Sequence, residues 1–151
     1  MIRVRFSANH KPLSLLVRGL LFSQVSHVEF EMPDGTFVGS HLMKGKTLRN
    51  DKRYPIEIFY TLNITKSQEL ELSDWIENQI DKPYDYTALF NNKIMPRKKK
   101  VWHDESMWIC SEFVAAGLKR IGAKFPEGIQ KIDPSYLYDE FRSSNQSYIL
   151  V

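Results

Sequence analysis

Trp108-Ile109-Cys110-Ser111-Glu112-Phe113-Val114-Ala115 is the stretch on which the reading of the fold turns. Phe113, Val114, Leu118 and Ile121 recur at helical spacing, which predicts a helix over 110–121 with one buried face. Gly122 follows at once and suits its C-terminal cap. Cys110 is the only cysteine, so it can make neither an internal disulfide nor a multi-cysteine metal site. A packing residue or a nucleophile remains, and lone cysteines are more often the former. Its place in the first helical turn favours the nucleophile, because unpaired N–H groups and the helix dipole there stabilise an anion. Given a basic partner, such a thiol is expected to titrate in a range of roughly 3.5–7.5, below its usual value of about 8.5.

Outward from this helix, strands gather early in the chain and helices late, which predicts an α+β fold. Residues 2–7 alternate as a strand, and Pro12 to Phe22 reads as a short helix. Val25 to Met32, the turn Pro33-Asp34-Gly35 and Thr36 to Leu42 read as a hairpin. Ile56 to Ile64 reads as a further strand. Thr65-Lys66-Ser67-Gln68 matches a capping box before a helix striped by Leu72, Trp75, Ile76 and Ile80. Residues 81–108 are loop-rich, Asp133-Pro134 opens a last short helix, and Tyr148 to Val151 reads as a closing strand.

With 151 residues, no internal repeat and no low-complexity linker, the chain reads as one domain, 1–151. Its 42% hydrophobic and 13% aromatic content is that of a globular protein. The stretch from Leu13 to Phe22 is too short and too polar to span a bilayer, and the first residues lack a signal-peptide pattern. A cytoplasmic location is the expectation. A formal charge of +3 does not by itself imply nucleic acid. Arg97, Lys98, Lys99 and Lys100 form a basic run whose default role is a solvated loop and whose sharper role is attraction of an anionic surface.

A cysteine nucleophile needs a base, usually histidine. His10 sits in a polar turn, and His103 in a charged loop beside Asp104 and Glu105. His27 is the best candidate, at the start of a strand where Val28, Phe30 and Met32 point one way and His27, Glu29 and Glu31 the other. The plain alternative is that these three polar residues face water. A two-residue Asp34-Gly35 turn would put Ser40 on the face of His27; a three-residue loop with a bulge would bring His41 there instead. The orienting group is therefore open among Ser40, His41 and Glu29. Trp108 is a candidate cleft residue, although buried tryptophans are commonly core. Glu112 reads as a structural acceptor.

Lys82-Pro83-Tyr84-Asp85-Tyr86, the Trp108 to Ala115 stretch, Gly122 and Pro126 together resemble the NlpC-type branch of papain-like cysteine hydrolases. Because Ser26-His27-Val28 precedes the cysteine helix, the order is similar to the circularly permuted members, which include the lecithin:retinol acyltransferase-like enzymes. The resemblance implies a permuted papain-like α+β domain with an antiparallel sheet packed against the cysteine helix. It implies Cys110 as nucleophile, His27 as base and a third polar residue near Ser40, with Tyr84 beside the thiol and Tyr86 as a further substrate contact. The implied chemistry is acyl transfer on a peptide, a peptidoglycan fragment or a lipid, with no metal or other cofactor. A phage or virion association fits the resemblance. So does a rival: a catalytically silent binding module that keeps only the cleft.

Overall fold

The computed structural model describes residues 1–12, 14–15, 24–87, 106–125, 132–143 and 148–149. Five antiparallel strands form its sheet: β1 (Arg3–Ala8), β2 (His27–Glu31), β3 (Phe37–His41), β4 (Lys46–Asn50) and β5 (Ile56–Asn63). A short strand β6 (Tyr148–Ile149) lies parallel to β5, and the order across the sheet is β4-β3-β2-β1-β5-β6. Among the described residues three α-helices accompany it, α1 (Lys66–Glu77), α2 (Cys110–Arg120) and α3 (Pro134–Ser143). The α+β class and the antiparallel sheet agree with the sequence reading. Most of the helix expected from Pro12 to Phe22, and the basic run Arg97 to Lys100, lie outside the described residues.

Period-2 alternation divides the sheet into two unlike faces. Val4 and Phe6 of β1 and Val28 and Phe30 of β2 are fully buried in the core shared with Phe113, Val114 and Leu118 of α2. Each such side chain contributes about 1.5–3 kcal/mol by leaving water. Helix α2 approaches β2 closely because Gly117 has no side chain; a Cβ there would lie 2.9 Å from the Phe30 and Trp75 rings. Helix α1 begins with the expected capping box, Thr65 accepting from the Gln68 N–H while Gln68 accepts from the Thr65 N–H.

The opposite face is polar yet dry. Arg5 and Glu29 are both fully buried and form an ion pair, and Arg5 also donates to Glu57 at 2.6 Å and to the Lys52 carbonyl at 2.7 Å. The Arg5 guanidinium lies 3.2 Å from the centroid of the Phe37 ring, which shields it from water. Glu31 is 6% exposed and pairs with Arg3. The plain alternative, that His27, Glu29 and Glu31 face water, does not hold for the two carboxylates: Glu29 is fully buried and Glu31 nearly so, while His27 is partly buried.

Strand β4 escapes the sequence reading. Lys46-Thr47-Leu48-Arg49-Asn50 is too polar to announce itself, but it pairs with β3 from His41–Lys46 to Phe37–Asn50. It also anchors a strap. The Thr47 N–H donates to the Lys82 carbonyl, the Tyr84 N–H to the Gly45 carbonyl, and the Trp108 N–H to the Pro83 carbonyl. Residues 82–84 therefore join the sheet edge to the segment that starts α2.

Candidate functional site

The hairpin between β2 and β3 decides which side chains meet. The Met32 N–H donates to the Thr36 carbonyl and the Gly35 N–H to that of Met32, so three residues, Pro33-Asp34-Gly35, form the loop. Gly35 takes a φ of +80°, a backbone conformation that side chains disfavour. The register pairs Phe30 with Val38 and Glu31 with Phe37, which continued along the strands sets Glu29 opposite Gly39 and His27 opposite His41. A Cβ on Gly39 would come within 2.6 Å of Glu29 Cβ, so the missing side chain makes room for the carboxylate.

His27, Glu29 and His41 accordingly form one cluster. The two imidazole rings are 4.6 Å apart between centroids. Both Nε2 atoms lie 3.2 Å from the same oxygen, Glu29 Oε2, while Oε1 of that carboxylate is held by Arg5. A carboxylate only accepts, so the His27–Glu29 hydrogen bond requires the proton on Nε2 and leaves the lone pair on Nδ1. Asn50 Nδ2 lies 3.2 Å from His41 Nε2, where it donates to the other ring. Burial, then His41 and Arg5, hold the His27 pKa well below its ordinary value. Burial, then Lys52, Arg5 and Lys44, lower that of His41 from 6.5 to about 4. Both shifts favour the neutral imidazole.

Pairing of β2 with β3 is confined to the turn end, Phe30–Val38 and Glu31–Phe37. Towards His27 the strands are no longer paired, and there the backbone N–H of Val28 donates to the thiol of Cys110. Cys110 opens α2, is 8% exposed, and also receives hydrogen bonding from its own N–H and that of Ser111. Burial nevertheless outweighs these donors and pushes the thiol up to about 11. The expected depression into the range of roughly 3.5–7.5 is therefore corrected: the helix start is present, but among the described residues no cation lowers the thiol. Val28, the neighbour of His27 in the chain, is what touches the sulfur; among the described residues no hydrogen bond joins imidazole to thiol, and His27 Nε2 turns to Glu29, on the face of β2 opposite the one packed against α2.

The other expected residues divide. Ser40 is fully buried and donates to the Trp108 carbonyl at 2.7 Å, tying β3 to the segment ahead of Cys110. It does not orient His27; that contact belongs to Glu29, with His41 alongside. Tyr84 lies beside the thiol, since after burial Cys110 is the next cause raising its pKa. Tyr86 is half exposed, its ring lies tilted 5.2 Å from that of Tyr84, and it donates to the Leu42 carbonyl at 3.0 Å. Trp108 is fully buried against Trp75 and donates to Gln79 Oε1 at 3.3 Å, so it is core and lines no cleft. Glu112 is 3% exposed and accepts from the Ile109 N–H, as a structural acceptor does; burial and then Asp85 raise it to about 7. His103, Asp104, Glu105 and Trp102 lie outside the described residues.

Arg5 is the functional neighbour that sequence reasoning passes over. Its only sign in the sequence is a position in β1 two residues from Arg3 and Ser7, which reads equally well as a solvated strand face. No family model matches the chain, and neither curated proteins nor solved structures offer a match. No helix among the described residues is long and apolar enough to cross a membrane.

Proposed function

We propose that the protein is a cysteine-dependent hydrolase or acyltransferase of the permuted papain-like kind, acting on an amide or ester bond of a cell-wall peptide or lipid. One observation carries this reading: the Val28 amide, next to His27, donates to a thiol that opens a helix. Glu29 completes the set, fixing His27 with its basic Nδ1 free, and Arg5 holds the other oxygen of the carboxylate. In this mechanism the resting pair is neutral. For the reaction His27 has to turn away from the face it shares with Glu29 so that Nδ1 reaches the sulfur; the S–H proton then passes to Nδ1 as sulfur bonds to the carbonyl carbon. N–H groups at the start of α2 hold the developing oxyanion. His27 then protonates the leaving group, and a thioester remains. Water or another nucleophile gives its proton to Nδ1 and releases the acyl group.

The rival is a silent binding module. It is favoured by one observation: His27 Nε2 bonds to Glu29, and among the described residues no hydrogen bond joins the imidazole to the thiol, which burial pushes up to about 11. An acyl-transfer probe incubated with the protein distinguishes them: a thioester on Cys110 read by mass spectrometry supports the enzyme, and an unmodified Cys110 with the probe merely retained supports the module. Wall, lipid and protein fractions offered in competition then identify the substrate class.

A further inference from the structure

We propose that His27, Glu29 and His41 form a binding site for a divalent first-row transition metal of the zinc class. The site goes beyond the thiol chemistry and does not depend on it. Two imidazole nitrogens and one carboxylate oxygen, each offering one ligand atom, all lie within 4.8 Å of one another. Zinc binds imidazole at about 2.0–2.1 Å and carboxylate at about 2.0–2.2 Å, so two ligand atoms on a tetrahedral ion sit roughly 3.4 Å apart. Both nitrogens already stand 3.2 Å from Glu29 Oε2, which leaves only small movements to close the set.

The surroundings are those of a held ligand group. Glu29 is fully buried, and Arg5 grips Oε1 so that Oε2 remains directed at the rings. Glu57, 2.6 Å from the same guanidinium, shares the Arg5 charge, so Arg5 does not pair with Glu29 alone. His27 and His41 are 18% and 13% exposed, so the ion has a solvent side where water fills a fourth position. Nitrogen ligands select zinc, cobalt, nickel or copper over magnesium and calcium, which prefer all-oxygen sets. On binding, His27 Nε2 gives its place to the metal and the proton moves to Nδ1; His41 exchanges the Asn50 amide for the ion. On the thiol reading of the site, a proton on Nδ1 also removes the base that Cys110 needs, so the metal acts as a brake.

The test uses the full chain freed of metal, titrated with Zn2+ by calorimetry and with Co2+ by visible spectroscopy. The expected result is one ion per chain, no response to Mg2+, and ligand-field bands of a four- or five-coordinate Co2+ without a sulfur-to-cobalt charge-transfer band. His41→Gln, at the solvent rim, and His27→Gln are each expected to weaken binding by at least about 100-fold. His10→Gln is expected to change nothing, and circular dichroism checks that each variant is folded. Absence of binding, or binding indifferent to His41→Gln and His27→Gln, would overturn the proposal, as would a sulfur charge-transfer band abolished by Cys110→Ser. None of these readouts uses turnover, so a silent Cys110 leaves the metal result intact.

Discussion

The amide of Val28 donates to the thiol of Cys110, and this single contact joins the start of α2 to the strand that carries His27. It forms where β2 is no longer paired with β3, so the N–H that would extend the ladder meets sulfur instead. A resting site built this way is shielded, and on the proposed reading its reactivity appears on contact with an acyl donor.

The first consequence concerns alkylation. A thiol raised to about 11 by burial holds far less thiolate near neutrality than an ordinary cysteine. Iodoacetamide labelling of Cys110 is expected to be at least about 100-fold slower than that of a free thiol at pH 7.5. Its rate should keep climbing beyond pH 9. A plateau reached below pH 8 would show that a cation faces the sulfur after all.

Glu112 gives a stability signature. Its folded pKa, about 7, is raised above the ordinary 4.5 by burial and Asp85. Its contribution is fully present below pH 4.5 and is lost as pH rises through 7, because ionisation is then favoured more in the unfolded chain. Glu112→Gln still accepts from the Ile109 N–H but cannot ionise. Relative to the parent protein it should gain stability across pH 4.5–7, by about 3 kcal/mol at most. Paired urea melts at pH 4, 5.5 and 7.5 measure the difference; a constant offset would contradict the assignment.

Ser40 and Glu29 separate position from chemistry. Ser40→Ala removes the hydrogen bond to the Trp108 carbonyl, which keeps the Asp85 N–H at 3.0 Å. A loss of about 1 kcal/mol is expected, with acylation of Cys110 unchanged. Glu29→Gln leaves the His27 tautomer unfixed and should slow acylation by at least about 100-fold in protein that circular dichroism shows to be folded. Equal effects of the two substitutions would return the orienting role to Ser40.

Gly39 tests the register of the hairpin. An alanine Cβ would sit 2.6 Å from Glu29 Cβ and 3.1 Å from its Oε2. Gly39→Ala should destabilise the fold by about 1–3 kcal/mol, read as a lower urea midpoint. An unchanged midpoint would mean that Gly39 does not face Glu29.

Much of the fold was legible because its signals are local. The helix of Cys110, the capping box at Thr65 and the strands at Arg3 and Ile56 each carry their own periodicity or cap. Strand β4 was not legible: Lys46-Thr47-Leu48-Arg49-Asn50 owes its form to β3 and to the Lys82–Tyr84 strap. At the site, Cys110 and His27 stood out by residue type. The choice among Ser40, His41 and Glu29 hung on the length of one turn, because adding one residue to a loop exchanges the faces of a strand. Arg5 was hidden for a different reason. Its burial depends on Phe37 and on the Lys52 carbonyl, partners that only the folded chain brings together.

The central claim is that His27 serves Cys110 as a base. Its most direct test is the single-turnover rate of thioester formation on Cys110 from an activated acyl ester, compared between the parent protein and His27→Gln. The account predicts a stoichiometric Cys110 adduct whose formation slows by at least about 100-fold in the variant. Equal rates in both proteins, or acylation at a residue other than Cys110, would contradict it.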